Sequence, residues 1–129
     1  MSTLAVGTIR NLAGTASTSS DNVINGCAKA WLTFSNAGGT NTTVFASYNI
    51  SSITSNGSST YTINFTTPFV DNNYCFVGNV VTDNNATMQN VQGFLGTRTT
   101  SAFQIQIRFD TGAGGGAAGA TPVYCAFFR

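Results

Sequence analysis

The residues of this 129-residue chain best placed to do chemistry lie in one stretch, FDTGAGGGAAG, Phe109 to Gly119. Asp110-Thr111-Gly112-Ala113 has the form of an aspartic-protease loop, in which two carboxylates share a proton and act as base and acid. Gly114-Gly115-Gly116-Ala117-Ala118-Gly119 meets the glycine spacing of a dinucleotide turn, whose amides cradle a pyrophosphate at a helix N-terminus. The surroundings argue against both. The residues after Asp110 are Thr, Gly and Ala as far as Gly119, with no room for the flap and bracing segment of a small protease. The glycine run leads through Thr121-Pro122 into a strand rather than a helix, so a hairpin tip is the simpler reading. Asp110 also keeps the parity of Gln104, Gln106 and Arg108, which places its carboxylate on a polar strand face.

A wider search for catalytic groups finds little. The chain has no His and no Glu, which removes Ser-His and Cys-His pairs, His-ligated metals and a Glu base. Its four acids, Asp21, Asp71, Asp83 and Asp110, stand singly in turn-like contexts, without the Asp-x-Asp spacing of an oxygen-ligand metal loop. No cofactor and no metal are expected. Cys27, Cys75 and Cys125 are odd in number and lie in apolar stretches, which reads as buried thiols rather than a disulfide framework. Five Asn-x-Ser/Thr sequons, at Asn41, Asn49, Asn56, Asn64 and Asn85, follow from a composition rich in those residues.

Composition narrows the partners. Charged residues make up 7% of the chain and the net charge is +1, so nucleic acid and anionic membranes are excluded as partners. No basic start with an apolar run resembles a signal peptide, and no apolar stretch reaches the roughly eighteen residues of a membrane span. Hydrophobic residues are nonetheless 42%, with ten Phe, four Tyr and one Trp, enough for a real core. The chain reads as one that binds or builds rather than one that turns over substrate.

The elements that would position these residues are strands. Residues 1–22 are small and polar, with Leu4, Val6, Ile9 and Leu12 as scattered apolar anchors, and read as an extended attachment arm. Residues 23–129 form the domain, in which no window supports a helix. Val44, Ala46, Tyr48 and Ile50 alternate with Phe45, Ser47 and Asn49 and, with the Asn56-Gly57 turn and Tyr61, Ile63 and Phe65, predict a hairpin over 44–66. Residues 74–81 are apolar on both faces, as in a central strand or one against a partner, and 88–95 form a weaker strand. Phe103, Ile105, Ile107 and Phe109 alternate strictly, and Val123 to Phe128 is expected to pair with them. About seven strands with short turns predict an all-β fold, an antiparallel, jelly-roll-like β-sandwich behind a short arm.

The stretch CAKAWLTFSNAGGTNTTVFASYNISSITSNGSSTYTINFTTPFVDNNYCFVG, from Cys27, resembles the C-terminal β-sandwich domain of bacteriophage tail-fibre and fibre-like virion proteins. The matching positions are a Cys27, Lys29, Ala30, Trp31, Phe34 strand, the run from Ser47 through Asn49, Ser51, Ser52, Ile53 and Thr54 to Asn56-Gly57, and a Tyr61-Thr62-x-Asn64-Phe65-Thr66 strand. Asp71, Asn73 and Tyr74 follow, and the terminal VYCAFFR is similar to the last strand of such domains.

The resemblance implies a non-enzymatic homotrimer in a virion, made and assembled in the bacterial host cytoplasm, whose partners are itself and a major capsid or tail protein. A short arm in place of a fibre shaft favours a capsid decoration or cement protein. The alternative is a tail-fibre tip that recognises a host surface glycan through loops 36–43, 82–87 and 111–120, with Asn36, Asn41, Asp83, Asn84, Asn85 and Asp110 as ligand or partner residues. Trp31 could stack on a sugar, although its place in a strand favours the core.

Overall fold

Strict alternation along β9 (Ala102–Asp110) becomes a buried row of Phe103, Ile105 and Ile107, with Gln104, Gln106 and Arg108 on the other side. The same rule of two sets every layer of the computed structural model, which describes residues 5–81, 88–93, 97–110 and 122–129. One antiparallel sheet has the order β4-β3-β10-β7, from β3 (Ala28–Phe34), β4 (Val44–Tyr48), β7 (Cys75–Val80) and β10 (Val123–Phe128). The other has the order β5-β6-β9-β8, from β5 (Ile50–Gly57), β6 (Thr60–Phe65), β8 (Met88–Gly93) and β9. The two face each other in the layering of a jelly-roll-like sandwich, with β3-β4, β5-β6 and β8-β9 kept as sequential hairpins.

Aromatic rings fill the space between the sheets. Phe127 on one sheet meets Phe65 and Phe103 on the other at centroid distances of 5.0 and 5.6 Å, and Phe34 meets Tyr61 edge-on at 5.1 Å. Such pairs add about 0.5–1.5 kcal/mol each beyond burial. Gly93 makes room for them, since a β-carbon there would stand 2.3 Å from the Phe103 ring.

The predicted hairpin over 44–66 is two structures. The chain breaks at Asn49, which takes a positive φ of 57°, and β4 and β5 fall in different sheets. Alternation continues through the break, so pattern alone reads one strand. The Asn49 side chain donates to the carbonyls of Lys29 and Thr67, both at 3.1 Å, and accepts from the Thr67 amide at 2.7 Å, joining three segments at one corner. The turn between β5 and β6 carries positive φ at Gly57, Ser58 and Ser59, one step beyond the expected Asn56-Gly57 pair.

Three more expectations are corrected. β10 pairs with β3 and β7, not with β9, because its inward residues complete the opposite sheet. β7 is an edge strand, not a central one. Ten strands and one helix occur among the described residues, since the arm is not simply extended. β1 (Thr8–Arg10) and β2 (Ser17–Ser19) pair as a small hairpin, and α1 (Ser20–Gly26) follows, capped where the Ser19 hydroxyl accepts from the Asn22 amide at 3.2 Å. A seven-residue helix leaves almost no apolar period to detect.

Replacing Asn49 with Ala should lower stability by about 3 kcal/mol, from three hydrogen bonds and a left-handed backbone site, and Asn49→Gly should recover about 1 kcal/mol of that in urea unfolding. Alkaline pH should also destabilise the fold. Burial raises Tyr61 and Tyr74 from 10.0, and Cys125 from 9.0, to about 12 in each case. The unfolded groups ionise first, so their stabilisation is complete below pH 9.0 and is lost as pH rises towards 12, visible as a falling melting temperature.

Candidate functional site

The two outward faces of the sandwich differ in chemistry. On the β5-β6-β9-β8 sheet the outer face is mostly Ser, Thr, Asn and Gln, with Arg108 among them, and several of these side chains bond to one another. Asn64 donates to Ser52 at 2.9 Å, Asn56 to Thr62 at 2.8 Å and Gln106 to Thr60 at 3.3 Å. On the β4-β3-β10-β7 sheet, strand register lays Tyr48, Trp31, Ala126 and Val77 in one row and Ala46, Thr33, Tyr124 and Asn79 in the next. Tyr48, Val77, Tyr124 and Trp31 are 58%, 55%, 43% and 39% exposed. A shallow depression of about 250 Å³ lies among Trp31, Val77 and Tyr124.

Trp31 therefore stands on the surface, not in the core. The reason is parity: Ala30, Leu32 and Phe34 take the inward positions of β3, and Trp31 lies between them. The cysteines divide for the same reason, with Cys125 buried on β10 and Cys27 and Cys75 exposed, so only one of the three expected buried thiols is found.

The ends of the sandwich differ as well. One end carries the arm, the Asn49 corner and residues 66–74, and here a cleft of about 560 Å³ opens between Lys29, Tyr48, Asn49, Pro68, Val70 and Arg129. Arg129 forks onto the Asp71 carboxylate, Nε to Oδ1 at 2.9 Å and Nη2 to Oδ2 at 2.5 Å. Those hydrogen bonds, with help from the Asn73 amide, hold the Asp71 carboxyl below its usual range. The Lys29 ammonium donates to the Ile24 carbonyl at the end of α1 and so ties the helix to the sandwich.

The opposite end carries the strand ends that bound the expected ligand loops. The Ser59 amide bonds the Gly39 carbonyl there, and the Val81 amide bonds the Pro122 carbonyl. Asn41 is exposed and accepts from the Thr43 amide at 2.8 Å. Asn36 departs from expectation, because it is fully buried and accepts the Tyr61 hydroxyl proton, so it braces the core and cannot face a ligand. Asp110 is the last residue of β9, opposite Met88. Asp83, Asn84 and Asn85 lie outside the described residues, as do Thr111 to Thr121 and Leu4 of the arm. Val6, Ile9 and Leu12 of the arm are exposed. Among the described residues no three His, Cys, Asp or Glu side chains come together.

No family model matches the sequence, and no curated protein or solved structure matches it. Reading the sequence missed the cleft, whose walls come from four separate segments, and misplaced Trp31, whose exposure follows from the inward parity of its two neighbours.

Tyr61→Phe tests the placement of Asn36. Loss of the buried hydroxyl should cost about 1–2 kcal/mol in urea unfolding, with an unchanged dependence on denaturant. An unchanged midpoint would return Asn36 to the surface.

Proposed function

We propose that the chain is a non-enzymatic structural protein of a bacteriophage virion, a capsid decoration protein that assembles as a homotrimer and is held to the particle through its N-terminal arm. One observation carries the reading: of the two outward sheet faces, one is polar, with several side chains bonded to one another, and the other presents Trp31, Tyr48, Val77 and Tyr124 to solvent. A face of aromatic and aliphatic side chains is what a protein–protein interface requires, and tryptophan and tyrosine dominate such interfaces energetically. A like copy brings no charge repulsion to it, since the two rows contain no charged residue. The resemblance to fibre-like virion domains supports three copies, and the exposed Val6, Ile9 and Leu12 suit an arm that orders on a neighbour.

A second reading, host-glycan recognition, draws support from the gathering of the loop-bounding strand ends at the end away from the arm. There, loops would face outward from an arm-held particle protein.

Light scattering decides the first point. The wild-type protein should run at three times the 13.4 kDa chain mass, and Trp31→Glu should run as a folded monomer, its association weakened about 100-fold or more. A wild-type monomer at all concentrations would end the assembly reading.

A further inference from the structure

The arm end is also the basic end of the molecule. Lys29, Arg98 and Arg129, three of the five basic residues, lie there with Asp71, a net charge of +2 in a chain whose total is +1. Arg98 spends its charge on aromatic faces, 5.3 Å from the Tyr74 ring centre and 5.5 Å from that of Phe103. Arg129 shares its charge with Asp71, whereas among the described residues the Lys29 ammonium is held by a neutral carbonyl and by no carboxylate. The cleft between Lys29 and Arg129 is therefore cationic, and it is not wholly polar. Tyr48 and Pro68 form apolar walls, and Val70 stands 84% exposed on its rim.

We infer that this cleft is a docking site for an acidic segment of the protein to which the arm attaches, a stretch carrying carboxylates beside an aliphatic side chain. The inference rests on the proposed attachment through the arm, because that attachment turns this end towards the partner. The carboxylates would sit between the Lys29 ammonium and the Arg129 guanidinium, both open to solvent, so the attraction is screened by salt. The aliphatic side chain would cover Val70 and the Tyr48 ring. Its volume of about 560 Å³ suits a few side chains rather than a folded surface. Tyr48 belongs to the aromatic face as well, so self-assembly and attachment would be continuous at that residue.

The probe is a fluorescent eight-residue peptide of alternating Asp and Leu, compared by anisotropy with the same peptide carrying Asn for Asp. Binding of the acidic peptide should weaken about tenfold for the Asn form, for Lys29→Gln and for Arg129→Gln, and should fall as salt rises. Arg108→Gln, at the far end of β9, should leave it unchanged. Melting temperatures check that each variant is folded, and Arg129→Lys, which keeps the charge, should retain most binding. Equal binding of both peptides, indifference to the Lys29 and Arg129 variants, or no binding at all would overturn the inference. Preference for galacturonic acid oligomers over the peptide would overturn it too, by making the cleft a saccharide site. Mass measured on the same samples separates the two proposals: peptide binding by a monomer would sink trimerisation alone, and a trimer that ignores the peptide would sink the cleft alone.

Discussion

The fold depends on how the chain leaves one sheet and enters the other at Asn49. A strand that runs almost directly into a strand of the facing sheet, as β4 does into β5, must turn a corner, and a corner strands backbone groups that neither ladder can satisfy. Asn49 solves both parts of the problem with one side chain. It tolerates the left-handed backbone conformation, and its amide bonds Lys29 and Thr67 while its carbonyl oxygen takes the Thr67 amide. Pinning Lys29, at the start of β3, to Thr67, beyond β6, fixes how the two sheets meet at this end. The cleft opens against that corner, so the geometry of Lys29 and Arg129 follows from it.

A chain with so few charges must keep its surface wet by other means, and this one does so on one side only. The outer face of the β5-β6-β9-β8 sheet is mostly hydroxyl and amide side chains, several of them bonded to one another. The outer face of the other sheet spends its positions on tryptophan, tyrosine and valine, which gain nothing from water. This difference between faces, rather than any reactive group, is the functional signal in the proposed assembly. Charge is then sorted along the perpendicular direction, towards the arm end. One axis of the molecule is organised by burial and the other by electrostatics, which suits the proposed assembly with like copies on the face and an unlike partner at the arm end.

Strand periods were legible in the sequence wherever one face is buried, and β9 is the clearest case, since Phe103, Ile105 and Ile107 are all interior. Pairing was legible only across a short turn, as between β5 and β6, because alternation reports which face a residue takes and not which strand lies beside it. Hence β10 was expected beside β9, and β4 and β5 were expected as one strand across Asn49. Trp31 shows the same limit at the level of a residue. Its size favours burial on average, but parity with Ala30, Leu32 and Phe34 places it outside. Asn36 is the reverse, a polar loop residue drawn inside because the Tyr61 hydroxyl needs an acceptor there. The cleft could not be read at all, since Lys29, Asn49, Val70 and Arg129 are distant in the chain and meet only at the corner.

Trp31 is the only tryptophan of the chain and stands at the centre of the face assigned to assembly, so its own fluorescence reports on the central claim. The measurement is acrylamide quenching of that fluorescence across a dilution series, with mass followed in parallel. If the face is the assembly surface, Trp31 is shielded at high concentration and becomes quenchable on dilution, in step with the fall from trimer to monomer. Equal quenching at every concentration, whatever the mass, would show that the face stays open to solvent and is not the assembly surface.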